Sequence, residues 1–289
     1  MDQGDLVHAR QCLERAMWLR QRVSGEDDLS TASSLNDMGL LLQAEGDLGR
    51  AATHMERALD ICERVVGARY PDLATIFNNL GTVLHARGDL VPARTYYERA
   101  LEFRKRLFGP DHLTTAGSLN NLGVLLTLQG SLVDARSCLE PALAVFQRVA
   151  GPDHPYTAAS LNNMGALLQA EGQLANAREQ YDRGLAICQR ILTHDHPYTA
   201  ACRENLRSVL EASVEVGPPR NYLIDADDGS MKPRVALIGS HLNYIEASGP
   251  TRRSLSGVSG ACVVRAAGRV GSWGRAIRTQ VQRHVVKRH

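Results

Sequence analysis

The sequence predicts an all-α fold, a solenoid of stacked antiparallel helix pairs. One phrase, a large apolar residue followed by Asn-Asn or Asn-Asp, then Leu or Met, then Gly, begins at Leu35, Phe77, Leu119 and Leu161. These four starts are 42 residues apart, and a fixed period of this size is typical of stacked-repeat architectures. Within each period the apolar residues recur at helical spacing, so each repeat is expected to be a pair of helices.

The second repeat shows how the two helices are delimited. Phe77, Leu80 and Leu84 fall at i, i+3 and i+7, which is the apolar stripe of a first helix. Gly88 is expected to end this helix, because a left-handed backbone costs glycine little. A second apolar stripe follows and stops at Gly109-Pro, a strong helix breaker.

The same pattern predicts the helices of the whole repeat region. First helices are expected at about 30–44, 72–86, 114–128, 156–170 and 198–212, and second helices at about 47–66, 89–108, 131–150 and 173–192. Residues 1–24 match the second-helix pattern alone. The predicted domains are a solenoid and a tail: a half repeat 1–24, four full repeats over about 30–192 and a capping helix 198–212 within 1–212, then 213–289.

Small residues stand at fixed positions of the repeats. Gly39, Gly81, Gly123 and Gly165 share one first-helix position. Glycine inside a helix costs about 1 kcal/mol relative to alanine, so its recurrence indicates a shared constraint. We expect that this constraint is a close approach of the first helix to the second.

The two ends of the repeat region differ. The half repeat lacks its first helix, which leaves an apolar face uncovered, whereas solenoid ends normally carry a polar cap. We therefore expect that the chain is a piece of a longer protein or that its start is misassigned, and the uncovered face is a candidate for self-association. At the other end Arg203 and Arg207 replace an apolar residue and the glycine, as expected of a capping helix with one face in water.

Charge separates the tail from the repeats. Residues 217–289 hold 12 Lys or Arg against 4 Asp or Glu, a net charge of +8, and the remaining residues are at about −6 because the whole chain carries +2. The tail has no helical periodicity and is dense in Ser, Gly, Ala and Arg, which predicts disorder. Its basic charge is compatible with nucleic acid, but aromatic residues for base stacking are sparse, so nucleic acid is an unfavoured partner.

Several protein classes are not favoured by the sequence. No run of 18 apolar residues is present, so no membrane span is expected, and the acidic start does not resemble a signal peptide. The six cysteines contain no Cys-x-x-Cys pair, which favours reduced thiols in a cytoplasmic protein. Cys62 and Cys188 occupy equivalent repeat positions, as do Cys12 and Cys138, and this fits packing residues.

The sequence offers no catalytic or metal constellation. His112, His154 and His196 recur once per repeat, each without a second ligand beside it, so no metal site is predicted. The phosphate-binding pattern Gly-x-x-x-x-Gly-Lys-Ser/Thr is absent. We therefore predict that the protein is not an enzyme and holds no cofactor.

The repeat resembles a known family at seven positions. The set resembles the tetratricopeptide repeat: Phe77, Leu80, Gly81, Leu84, Ala93, Tyr97 and Ala100. The period exceeds the usual 34 residues, and the additional residues lengthen the second helix by about two turns. This long form, with Leu-Asn-Asn-Leu and Gly-Pro-Asp-His-Pro, is similar to the kinesin-light-chain and nephrocystin type. The resemblance covers about 1–212 and implies a right-handed superhelix.

The resemblance also implies a site. In this family the first helices line a concave groove that binds peptides, and the matching positions here are Asn36, Asn78, Asn79, Thr82, His85, Asn120, Asn121, Thr127, Asn162, Asn163, Gln169 and Asn205. An Asn amide both donates and accepts hydrogen bonds, so a ladder of amides can pair with an extended peptide backbone. The same amides can instead brace neighbouring repeats, and both uses stay open. Few groove positions are basic, which disfavours acidic peptides.

These observations favour a non-catalytic protein–protein interaction scaffold that holds a peptide or partner helix in its groove. One alternative is a sensor or regulatory fragment of a larger signalling NTPase. Another is a nucleic-acid binder that works through the basic tail.

Overall fold

The computed structural model describes residues 3–66, 72–192 and 196–215, and within them the fold is all-α, as predicted. The helices are α1 (Gln3–Ser24), α2 (Leu29–Ala44), α3 (Leu48–Val66), α4 (Leu73–Arg87), α5 (Leu90–Phe108), α6 (Leu113–Leu128), α7 (Leu132–Val145), α8 (Pro155–Ala170), α9 (Leu174–Ile191) and α10 (Pro197–Glu215). The tail beyond residue 215, and with it the predicted disorder, lies outside the described residues.

The observed helices follow the predicted repeat pattern, with two differences. The second helix expected at 131–150 is an α-helix only to Val145 and continues as a π-helical segment, Phe146–Ala150. The last first helix extends to Glu215, three residues past its expected end. Gly88 has a left-handed backbone with φ of 90°, which confirms that it ends α4.

The chain divides into two compact units, of which the first contains α1 to α4. There α1 packs on α2, α2 on α3 and α3 on α4, so each helix is covered by its neighbours in sequence. Leu42, Met55 and Ile61 are completely enclosed between these helices. Each such side chain contributes about 1.5–3 kcal/mol by leaving water, and this burial is the main stabilising term of the unit.

The second unit contains α5 to α10 and is built in the same way. Consecutive helices pack on one another, and the first helices α6, α8 and α10 also touch each other in that order. Leu125, Leu139 and Tyr181 are among the side chains that this packing encloses. The first helices therefore lie side by side.

The recurring glycines mark the close approach that the sequence predicts. A Cβ atom on Gly123 would lie 2.6 Å from Leu139 Cγ and 3.3 Å from the carbonyl oxygen of Ala135. Gly39 meets Met55 in the same way in the first unit, at 2.7 Å. Because real Cβ contacts are not this short, any larger residue would push the two helices of the repeat apart.

The first helices begin with an unexpected capping residue. The sequence predicts no structural role for the three recurring histidines, but each one caps a helix. Nδ1 of His112, His154 and His196 accepts the backbone N–H two residues later, at 3.2, 3.1 and 3.0 Å. Asp28 caps α2 in the same position through Oδ1, at 2.8 Å. A backbone N–H can only donate, so Nδ1 of each capping imidazole must be the unprotonated nitrogen.

The last helix carries the charged face that the sequence predicts. Arg207 replaces the recurring glycine and pairs with Glu204 and Glu211 along the exposed side of α10. Such exposed pairs contribute about 0.3–0.5 kcal/mol each, so their main effect is to keep this face hydrated. A second helix could not approach α10 as closely as it approaches the glycine-bearing helices.

Candidate functional site

The asparagines of the first helices form hydrogen bonds from one repeat to the next. In the first unit Asn79 Nδ2 donates to Asn36 Oδ1 at 3.0 Å. In the second unit Asn163 donates to Asn120 at 3.1 Å, and Asn205 donates to Asn162 at 2.9 Å. In every pair the donor follows the acceptor by 43 residues, one repeat and one residue. We call this arrangement the amide ladder.

The amide ladder is enclosed by protein. The predicted groove residues that are buried are Asn36, Asn78, Asn79, Thr82, Asn120, Asn121, Asn162, Asn163 and Asn205. A buried amide that loses its partner costs about 1–3 kcal/mol, so each ladder bond fixes the spacing of two neighbouring first helices. Bracing between repeats, one of the two uses that the sequence leaves open, is therefore observed directly.

Two amide atoms of the ladder remain unpaired. Asn79 Oδ1 and Asn120 Nδ2 are buried and have no hydrogen-bonding partner among the described residues. Asn79 thus uses its donor and not its acceptor, while Asn120 uses its acceptor and not its donor. Both atoms are enclosed, so neither faces solvent in this structure.

The remaining predicted residues lie one to two turns further along the first helices. His85, Thr127 and Gln169 are half-buried. Thr127 donates to the carbonyl oxygen of Gly123 at 2.8 Å, which leaves its hydroxyl oxygen able to accept. Burial lowers the pKa of His85, so this imidazole is neutral at physiological pH. We call Thr127 and Gln169, which both lie in the second unit, the open row.

Gln169 is held in place from two sides. The hydroxyl of Tyr181 donates to Gln169 Oε1 at 3.0 Å, and Gln169 Nε2 donates to Ser208 Oγ at a long 3.4 Å. Burial raises the pKa of Tyr181 well above its usual value of 10, so the phenol stays a hydrogen-bond donor. The position of Gln169 is therefore set by α9 and α10 as well as by its own helix.

Ion pairs fasten the second helix of a repeat to the loop before its first helix. Arg64 pairs with Asp27 at 2.7 Å, Arg148 pairs with Asp111 at 2.6 Å, and Arg190 contacts Asp153 in the same way. The partners are 37 residues apart in each case, so these exposed pairs recur with the repeat. Individually they contribute little to stability, and the groups are engaged with each other and not directed at a ligand.

A cavity of about 280 Å³ lies in the second unit beside α7. Its lining includes Pro110 and Pro141, at positions where an earlier repeat has Glu26 and Arg57. Those two residues form an ion pair at 3.0 Å, and the two prolines cannot. At this cavity two prolines therefore stand where the earlier repeat forms an ion pair.

The described part of the chain contains no group of three or more side chains that could hold a metal ion. The capping histidines agree with this finding, since each of them is engaged at its own helix. Among the helices of residues 3–66, 72–192 and 196–215, none is long and apolar enough to cross a membrane.

Comparisons with known proteins agree with this geometry. The chain matches the family model described as tetratricopeptide repeat over residues 1–64, 36–106, 72–135, 114–181 and 156–212. These overlapping matches span the whole repeat region. A sequence search of curated proteins finds no match.

Solved structures also resemble the chain. One is BtubC (BKLC) from P. vanneervenii, with 21% identity and a TM-score of 0.55, covering 78% of this chain and 98% of that chain. Another contains the nearly identical TPR-like repeats of a Podosopora anserina protein described as kinesin light chain. It has 21% identity and a TM-score of 0.55, and it covers 65% of this chain and 90% of that chain. At this identity the likeness concerns the fold.

Proposed function

This chain belongs to the tetratricopeptide repeat family, and on that basis we propose that it is a non-catalytic scaffold whose first helices bind a peptide or a partner helix. Repeats of this family indicate protein–protein interaction. Binding at the first helices is the finer proposal, and it rests on the arrangement of the amide ladder and the open row.

The observation that carries the proposal is the register of the first helices. In the second unit α6, α8 and α10 touch in sequence, and ladder bonds at 3.1 and 2.9 Å join α8 to its two neighbours. Equivalent side chains are therefore repeated at a fixed spacing on one surface. A partner with its own regular spacing, an extended peptide or a helix, can match several of these positions at once.

The chemistry of this surface suits a neutral partner segment. Thr127 and Gln169 offer hydroxyl and amide groups that accept and donate hydrogen bonds without charge. Arg207, an exposed cation on α10, is engaged by two carboxylates, Glu204 and Glu211. The surface therefore favours contacts to peptide backbone and polar side chains over a charge-based clamp.

The ladder supports binding in a second way. The free donor of Asn120 and the free acceptor of Asn79 each lack a partner among the described residues, at a cost of about 1–3 kcal/mol for each group. A peptide carbonyl or N–H that reached one of them would recover part of that cost. The ladder residues are thus proposed to act in both roles, as braces between repeats and as contacts for the partner.

The test is a peptide selection followed by a comparison of variants. Peptides are selected from a displayed library on the full-length chain, and their affinity is measured by fluorescence anisotropy. A double variant, Thr127→Ala with Gln169→Ala, removes two open-row side chains. We expect about a tenfold loss of affinity, since each lost hydrogen bond contributes about 0.5–1.5 kcal/mol.

The matched control changes the opposite helices. Val133 is 84% exposed on the second helix α7, so Val133→Ala should leave both fold and binding unchanged. Circular dichroism confirms that each variant is folded. Equal loss of affinity in the control and in the double variant would contradict the proposed surface, as would selected peptides that bind the double variant normally.

A further inference from the structure

The second helix of each repeat meets the next first helix at a recurring joint. Arg104 on α5 donates to the carbonyl oxygen of Thr114 at 3.1 Å and to Ser118 Oγ at 2.9 Å on α6. Arg20 makes the same two contacts 84 residues earlier, to Ser30 and Ser34, at 3.0 and 2.7 Å. Both joints connect a residue on a second helix with the residue 14 positions later on the next first helix.

The joint between α9 and α10 contains two cysteines. By the same 42-residue period, Cys188 stands at the position of Arg104, and Cys202 stands at the position of Ser118. Both side chains are 0% exposed, and both thiols are free. α9 packs on α10 here, and the equivalent Arg104 and Ser118 are joined at 2.9 Å, so the two thiols face each other across the joint, with Cys202 donating a hydrogen bond to Cys188.

This contact changes the acidity of the pair. The hydrogen bond from Cys202 lowers the pKa of Cys188, while the same bond and burial raise the pKa of Cys202. Cys188 is therefore the thiol that ionises first, while Cys202 keeps its proton and donates it in the hydrogen bond to Cys188. At the equivalent position of an earlier repeat, burial and the charges of Asp72 and Glu63 raise the pKa of Cys62 to about 11. The position alone therefore does not activate a thiol, and the second cysteine is required.

We propose that Cys188 and Cys202 are an oxidation site, at which a peroxide produces an intramolecular disulfide that fastens α10 to α9. This inference does not depend on the proposed binding function. It follows from two enclosed thiols that face each other across a joint that holds Arg and Ser in two other repeats.

The chemistry balances with a peroxide as the oxidant. The Cys188 thiolate attacks one oxygen of hydrogen peroxide, the O–O bond breaks, and the products are a sulfenic acid and hydroxide. The Cys202 sulfur then attacks the sulfenic sulfur, the S–O bond breaks, and the oxygen and the Cys202 proton leave as water. Overall two thiols are oxidised and one peroxide is reduced to two waters.

The location explains why a buried pair can react. α10 has a charged outer face and contacts the unit through α8 and α9. This outer face is exposed, and a helix that is covered on one side only opens locally at lower cost than an enclosed one. A small oxidant reaches the pair during these openings, and the disulfide then suppresses them.

The test uses the full-length chain, reduced and then treated with hydrogen peroxide. Remaining thiols are labelled with N-ethylmaleimide in denaturant and counted by intact mass. We expect the oxidised chain to take up two fewer labels than the reduced chain. Tryptic mapping should show the peptide 184–190 joined to the peptide 191–203, which contain Cys188 and Cys202. A cross-link elsewhere, a link between two chains, or an unchanged number of labels would overturn the proposal.

Matched variants test whether the oxidation requires the Cys188–Cys202 pair or only a buried thiol at this helix position. Cys62→Ala removes a buried thiol from the same helix position, and peroxide should still reduce the label count by two. Cys188→Ala should abolish this loss. In the oxidised wild-type chain, amide hydrogen exchange in α10 should slow at least tenfold, and unchanged exchange would show that the pair does not fasten this helix.

Discussion

The cap on α8 makes the stability of this protein dependent on pH in a defined direction. His154 Nδ1 accepts a hydrogen bond from the backbone N–H of Tyr156 at 3.1 Å, and the centroids of the two side-chain rings are 4.7 Å apart. A proton on Nδ1 would remove this acceptor and place a positive charge at the N-terminus of a helix, where the dipole is also positive. Burial lowers the pKa of His154 from 6.5 to about 4.

The size of the effect follows from this pKa. Lowering the pKa of His154 from 6.5 to about 4 corresponds to a free energy of roughly 3 kcal/mol that favours the neutral imidazole in the folded chain, at about 1.4 kcal/mol for each pKa unit. The unfolded chain binds the proton more readily than the folded chain, so acid favours unfolding. The stabilisation is fully present above pH 6.5 and is lost as the pH falls toward 4.

The assay compares the wild-type chain with His154→Asn. Asparagine is a good helix cap and does not titrate, so the two proteins should have similar stability at pH 7.5. Urea unfolding, followed by circular dichroism, is repeated down to pH 4.5. There the wild-type chain should have lost roughly 2.5 kcal/mol relative to the variant. Stability curves that remain parallel over this range would refute the assigned role of the imidazole.

An internal control lies in the first unit. Asp28 caps α2 in the same position, and hydrogen bonds from Ser30 lower the pKa of its carboxyl below 3.8. A carboxylate loses its capping ability only when it is protonated, so this cap persists at pH 4.5. Hydrogen exchange should therefore rise at the start of α8 and not at the start of α2. Exchange that rises equally at both helices would point to general acid unfolding.

Three further predictions concern packing and hydrogen bonds, and each is measured by urea unfolding. Gly123→Ala should destabilise by about 1–3 kcal/mol because the added methyl group has no room, whereas Gly49→Ala, with open space around it, should stabilise by about 0.5–1 kcal/mol. Ser160→Ala should be neutral or stabilising because this buried hydroxyl has no hydrogen-bonding partner among the described residues, and Ser118→Ala should cost about 1–3 kcal/mol because it removes the hydroxyl that accepts a hydrogen bond from the buried Arg104 guanidinium. Asn205→Ala should cost about 1–3 kcal/mol through the lost ladder bond, and an unchanged midpoint would show that the ladder does not brace the helices.

The helix pairs are the part of the fold that could be predicted most closely. The apolar stripe that includes Phe77, Leu80 and Leu84 has the helical period, and its recurrence every 42 residues locates the other pairs. Local breakers such as Gly88 then place the helix ends to within a few residues. The π-helical segment after Val145 was not predicted, because the sequence there has the same apolar spacing as an ordinary helix.

The candidate site could be predicted only in part. Repetition identified the asparagines as a functional or structural set, but burial depends on how closely neighbouring first helices pack. The spacing between neighbouring first helices determines that Asn79 and Asn163 form hydrogen bonds with the preceding repeat. The half-buried Thr127 and Gln169 belong to the same predicted set, and nothing in the sequence separates them from the enclosed amides.

The sequence by itself determined what repeats: the period, the helix type of each segment, and the small residue where two helices approach. These properties depend on local spacing and on residue size. Only the tertiary structure decided which partners meet across a joint. Cys188 and Cys202 are separated by a helix boundary, and the pairing of His154 with a backbone N–H depends on the direction in which the chain enters α8. Such contacts are set by the geometry of packed helices, for which a single sequence contains no direct signal.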